Sequence, residues 1–219
     1  MRSDVIAEFC GTALLLAVVV GSGIMGERLA GGNDAVALLT NSLATGAGLY
    51  VLILTLGPVS GAQFNPAVSG LLSLCGEQSW GVTGRYAVAQ FGGAVAGVLL
   101  AHAMFAEDLL QVSTHVRAGP SQWLSEFVAT GGLLGVIALC SRHRPAALPQ
   151  AVGLYIMAAY WFTASTSFAN PAVTVARSLT DTFAGIAPAG VPGFVGAQVV
   201  AVGVVALLVR GRGERKDRG

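Results

Sequence analysis

The tripeptide Asn-Pro-Ala occurs twice, at residues 65–67 and 170–172, each time between long apolar runs. The surrounding stretches "GAQFNPAVSGLLSL" (61–74) and "TSFANPAVTVARSL" (166–179) are near twins. Asn is a strong helix N-cap and Pro is favoured at the first helical position, so each tripeptide reads as a helix start. The segments that follow, 66–75 and 171–182, are too short to cross a bilayer, reaching about 15 Å of a roughly 30 Å hydrocarbon core. A chain that interrupts itself twice in this way needs somewhere to put two irregular backbone stretches.

Composition supplies the solvent. Hydrophobic residues make up 54% and charged residues 11%, against about 25% charged in soluble domains; the mean hydropathy is +0.70. So little charge cannot cover a water-facing globule, and lipid is the expected surrounding. Most of the 30 glycines lie within apolar runs, where small residues let transmembrane helices approach closely. The net charge of +1 and the lack of a basic patch with interleaved aromatics argue against nucleic acid.

Six spans are expected, near 4–25, 35–56, 84–106, 122–141, 149–166 and 191–210. The first reads as a retained helix rather than a signal peptide, because Asp4 and Glu8 intrude and the apolar run is long. With both termini in the cytoplasm, that side carries Arg2, Arg85, Arg142, Arg144, Arg210, Arg212, Arg215, Lys216 and Arg218. The other side keeps Arg28, Arg117 and Arg177, which satisfies the positive-inside rule for a cell (inner or plasma) membrane protein. The tail 211–219 then acts as a basic cytoplasmic anchor.

The chain also repeats. "IAEFCGT" (6–12) matches "LSEFVAT" (124–130), aligning Glu8 with Glu126, and "VAQ" (88–90) echoes "GAQ" (196–198). Tyr50 precedes Asn65 as Tyr155 precedes Asn170. Three spans per half make the second half inverted, with repeats at about 1–110 and 118–210 in one domain, 1–219. Inverted repeats place a functional site near the midplane, where broken helices meet.

At that point Asn65 and Asn170 would cap their own helices and offer amide donors, with two positive half-helix ends repelling cations. The loop carbonyls before each Asn would line a watery conduit. Glu8 and Glu126 allow two readings: proton-coupling carboxylates, or acceptors that hold the loops; their repeat-equivalent placement favours the second. Cys10, Cys75 and Cys140 lack metal-ligand spacing and read as small packing residues, with metalloid capture as the alternative. His102 is expected at a helix end, and His115 and His143 in linkers. No nucleophile–base pair, HExxH or phosphate loop is present, so no enzyme is expected.

These residues resemble the aquaporin (major intrinsic protein) family: "AEFCGT", "SGAQFNPAV", "YAVAQFGGAVAG", "EFVAT" and the second "NPAV". The resemblance implies an all-α membrane protein of six transmembrane helices and two re-entrant half-helices, one cofactor-free pore per subunit, and a homotetramer. It implies a pore centre made of Asn65, Pro66, Ala67, Asn170, Pro171 and Ala172. Carried over by spacing, the family's narrow filter falls on Thr45, Ala158, Ser167 and Val173. Water-selective members have an aromatic, a His and an Arg there, whereas all four residues here are small, so a wide filter is expected. Gln63 replaces the usual His two residues before the first Asn. Arg177, about one helical turn past Val173, would either return positive potential to the mouth or bind backbone; the second is favoured. "NPAVTVARSLTDTFAGI" is most similar to bacterial aquaglyceroporins associated with arsenic resistance. This implies permeation by water, glycerol and neutral metalloid acids such as As(OH)₃. The alternatives are a water-selective aquaporin and, further off, a proton-coupled secondary transporter.

Overall fold

The computed structural model describes residues 3–216. Expectations placed on Arg2, on Arg218, and on the side chains of the 211–219 tail lie outside the described residues or atoms. The chain forms α1 (Ser3–Leu29), α2 (Asp34–Ser60), α3 (Pro66–Leu74), α4 (Trp80–Phe105), α5 (Pro120–His143), α6 (Leu148–Phe162), α7 (Pro171–Ala176) and α8 (Val191–Lys216). The described residues contain no strand. Five of these helices (α1, α2, α4, α5 and α8 with the turn before it) are long and apolar enough to cross a membrane.

The boundaries follow local chemistry. Asn33 caps α2 by accepting from the Ala35 and Val36 amides, and Ser79 caps α4. Helix α2 runs past its expected end and through Pro58, stopping only where Gly61 adopts φ 86° and donates to the Gly57 carbonyl. A left-handed residue at this position costs glycine nothing. The fifth expected span, 149–166, is shorter than expected. Helix α6 has 15 residues, about 22 Å at 1.5 Å each, because residues 163–169 leave the helix to reach the second Asn-Pro-Ala. The second half-helix is also shorter than the expected 171–182. It ends at Ala176 and tightens into a 3₁₀ turn over Arg177–Leu179, where an α-helix can give way to i→i+3 bonding.

Packing repeats between the halves. Helix α1 packs on α2 and α4, and α5 packs on α6 and α8, while α2 against α6 joins the halves. The α1–α4 crossing is close because it is built on glycine. A Cβ at Gly97 would overlap the Ala13 carbonyl, and one at Gly93 the Phe9 carbonyl. At the α2–α6 crossing, Gly46 and Gly153 each lie against the other's carbonyl. In lipid, where no water needs expelling from apolar helix faces, this backbone-to-backbone contact is a main source of helix association. Outward positions such as Val88, Leu154 and Leu207 remain exposed, as a lipid-facing surface requires.

The loops opposite the N-terminus are tied to one another. Arg28 bridges to Glu107 at 2.8 Å. Asp181 accepts from the Thr114 backbone N–H and hydroxyl, and these two bonds hold its carboxyl below its ordinary value. His102 is in the last turn of α4, as expected, but it is fully buried. Its Nδ1 lies 3.1 Å from the Leu109 carbonyl and its Nε2 2.8 Å from Thr180 Oγ1. His143 is the last residue of α5 rather than part of a linker.

The glycine contacts give a direct test. Gly97→Val should destabilise the bundle by about 1–3 kcal/mol through overpacking, read as a lower thermal midpoint in detergent. Gly131→Ala, inside α5 and with a Cβ that would meet nothing within 4 Å, should leave the midpoint equal or higher.

Candidate functional site

Two irregular loops, 61–65 and 163–170, meet inside the bundle, and a carboxylate organises each. Glu8 on α1 accepts from Ser60 Oγ (2.6 Å), the Gln63 amide (2.9 Å), the Phe64 amide (2.7 Å) and Gln90 Nε2 (2.8 Å). Glu126 on α5 accepts from Ser165 Oγ (2.7 Å), the Phe168 amide (2.8 Å), the Ala169 amide (2.9 Å) and Gln198 Nε2 (2.7 Å). Both carboxylates are fully buried, where an ionised group persists only if its oxygens are satisfied. Four donors each satisfy them, which agrees with the loop-holding reading.

Gln90 and Gln198 complete the sets, and each also donates onward, to Ser69 Oγ and Thr174 Oγ1 on the half-helices. The echo of "VAQ" in "GAQ" marks both glutamines in the sequence, but their role needs the fold. The same bonds support strained backbone. Ala62, Phe64, Thr166, Ser167 and Ala169 all have φ between +47° and +60°, a region that costs non-glycine residues of the order of 1 kcal/mol each.

The two half-helices α3 and α7 meet at their N-termini. Asn65 accepts from its own Ala67 amide, and Asn170 from the Ala172 and Val173 amides. Their side-chain amides cross over: Asn65 Nδ2 donates to the Ala169 carbonyl and Asn170 Nδ2 to the Phe64 carbonyl, both at 2.8 Å. One hydrogen of each amide is thus used to lock the tips together. The second hydrogen remains for the lumen.

A cavity of about 180 Å³ runs past this junction. Gly61, Ala62, Gln63, Phe64 and Asn65 line it from one loop, and Ser167, Phe168, Ala169 and Asn170 from the other. The facing wall is apolar, with Leu15, Val19, Ile53 and Leu133 among its residues. Gln63 is held by Ser69 Oγ and by Gln78 Oε1. None of the three cysteines lines the cavity, and among the described residues no group of His, Cys, Asp and Glu could hold a metal ion.

Of the four filter positions taken by spacing, Thr45, Ser167 and Val173 line the cavity, and Ala158 does not. Ala158 faces outward and is exposed. The inward stripe of α6 is Leu148, Val152, Ile156 and Tyr160, spaced by four, and Ala158 lies well off that phase. Ile156 and Tyr160, two residues to either side, line the cavity instead, and the Tyr160 hydroxyl donates to Thr45 Oγ1 at 3.3 Å.

Arg177 also lines the cavity while only 2% exposed. Its Nε donates to the Ala184 carbonyl, as the backbone-binding reading expects, and its guanidinium carbon lies 3.4 Å from the Phe168 ring centroid. The small residues among the expected filter positions are therefore not the whole of this wall. A tyrosine and an arginine stand beside Thr45, Ser167 and Val173. Ser167 Oγ is buried with no hydrogen-bond partner among the described residues.

Replacing the carboxylate that holds the second loop should expose its role. In Glu126→Gln an amide N–H₂ would face donors, a loss of about 3 kcal/mol for a buried charged acceptor. Solute flux should fall together with the thermal midpoint. An unchanged midpoint would mean that the loop holds its shape without the carboxylate.

The comparisons agree with this geometry. The family model described as "Major intrinsic protein" matches residues 1–163. Over 204 residues the chain is 54% identical to Aquaglyceroporin AqpS of Rhizobium meliloti (strain 1021), covering 93% of this chain and 87% of that one. It is 26% identical over 178 residues to Glycerol uptake facilitator protein 4 of Lactiplantibacillus plantarum, covering 72% of each. Its fold matches the aquaglyceroporin of Plasmodium falciparum with a TM-score of 0.68 at 21% identity, over 94% of this chain and 93% of that one. The protein is an integral membrane channel with no enzymatic activity, and it belongs to the major intrinsic protein family.

Proposed function

We propose that the chain conducts small uncharged hydroxylated solutes passively: water, glycerol and neutral metalloid acids such as As(OH)₃. The observation that carries this is Val173, which lines the cavity directly after the second Asn-Pro-Ala, with no guanidinium attached at that backbone position. A solute moving along the cavity has carbonyls and asparagine amides on one side and aliphatic side chains on the other. It can exchange hydrogen bonds along the polar wall while keeping its apolar face against the second. Ions would lose a hydration shell that a partly aliphatic lining cannot replace, and cations also meet the positive ends of α3 and α7.

Likeness to an aquaglyceroporin 54% identical over most of the chain supports glycerol over water alone. The arsenite reading rests on the sequence resemblance and on Val173. Proton coupling finds little support, because each buried carboxylate is already committed to four donors and neither lines the cavity. The rest of the proposal is one channel domain over 1–219 built from two inverted repeats, tetramers in the inner or plasma membrane, and both termini in the cytoplasm.

Stopped-flow light scattering on proteoliposomes tests it. Glycerol and arsenite should enter without saturation and without dependence on a proton gradient. Gradient-dependent, saturable uptake would overturn the channel reading. Val173→Arg should lower glycerol and arsenite flux by about tenfold and change water flux little, since an arginine there adds bulk, charge and donors at once. Equal glycerol flux in the variant would place the narrowest point elsewhere.

A further inference from the structure

We propose that Arg177 is the specificity-determining cation of this channel, supplied from a different backbone position than the one Val173 occupies. The inference rests on the channel reading above and names the residue that keeps cations and protons out of its outer half.

Three observations carry it. Arg177 is only 2% exposed, yet it lines the same cavity as Val173, Tyr160 and Ser167. Nε is the one guanidinium nitrogen with a hydrogen-bond partner among the described residues, so the terminal nitrogens carry their donors unspent. Those nitrogens are not sealed in protein either, since neither is among the buried polar atoms lacking a partner. The ion pair found among the described residues is Arg28–Glu107, so no carboxylate neutralises Arg177 in direct contact. A full positive charge with free donors in a narrow cavity wall acts on every ion that passes, and adds to the partial charge at the half-helix ends.

The surroundings hold the guanidinium in place. Its central carbon lies over the Phe168 ring, 3.4 Å from the centroid, and Phe168 meets Phe194 edge to face at 5.1 Å. On the same ring sits Arg117, 5.5 Å from the centroid. Arg117 donates to the carbonyls of Gly185 (2.9 Å) and Phe183 (3.4 Å). These flank Ala184, whose carbonyl accepts from Arg177. Arg117 is thus a positioning residue: it fixes the loop that fixes Arg177. Phe168 is anchored in turn through its amide on Glu126. The charge therefore cannot swing into the lumen as a residue at position 173 could, and the cavity beside Val173 stays open to neutral solutes.

The test separates charge from packing. Proteoliposomes would be assayed for proton and sodium leak under an imposed potential, and separately for glycerol flux. Arg177→Gln keeps most of the side-chain length and loses the charge; the leak per channel should rise about tenfold, with higher glycerol flux. Arg177→Lys keeps the charge and should stay tight, which a purely structural arginine would not predict for the pair. Phe168→Leu keeps the charge and removes its platform, and should leak about threefold more than the unmodified protein. A tight Arg177→Gln channel that still passes glycerol would overturn the proposal. If Arg177→Gln fails to insert, the proposal is overturned by a Phe168→Leu channel as tight as the unmodified protein. Absence of glycerol flux in the unmodified protein would sink the functional reading instead, and it is read in the other assay.

Discussion

Two buried carboxylates make the rest of this structure possible. Breaking a helix at membrane depth frees backbone amides that lipid cannot satisfy, and this chain does so twice. Glu8 and Glu126 absorb those amides, two each, together with a serine and a glutamine. Without them, the left-handed residues at Ala62, Phe64, Ser167 and Ala169 would have no compensation. The carbonyls of those loops could not then be turned toward the lumen. The charge sits behind the loops and the polarity it buys is displayed in front.

The asparagines complete that arrangement across the two halves. Each caps its own half-helix and also bonds the other half's loop. The tips are consequently one unit, and displacement of either loop is felt by both. Rigidity of this kind suits a channel selecting by hydrogen-bond exchange, because the donors and acceptors need to be waiting at fixed positions. The glycine crossings at Gly93, Gly97, Gly46 and Gly153 serve the same end from outside, by bringing the spanning helices close enough to enclose the loops.

Where α6 and α7 border the cavity, the chain departs from what spacing alone suggests. Tyr160 and Thr45 form a bonded pair across the wall, and Arg177 returns a charge from one turn beyond Val173. The small residues at 45, 167 and 173 share this stretch of wall with the larger Tyr160 and Arg177.

Much of this was legible in the residues. The doubled Asn-Pro-Ala dictates two helix starts at the middle of the membrane, because capping and proline chemistry are local. The matched glutamates imply equivalent anchors, because an unpaired carboxylate has no place in lipid. Hydropathy and length supply five spans directly, and the sixth with its end misplaced. What the sequence could not determine is helical phase and reach. Counting twelve residues back from Asn170 lands on Ala158, but only the packed helix shows that the inward stripe passes through Ile156 and Tyr160. Arg177 carries no local signal of its target either: its side chain is long, and which carbonyl and which ring it meets depends on loops brought together by tertiary contacts. Local backbone chemistry acts between neighbours in sequence and can be read there; the composition of a pore wall is a matter of which faces converge, and only the folded bundle decides that.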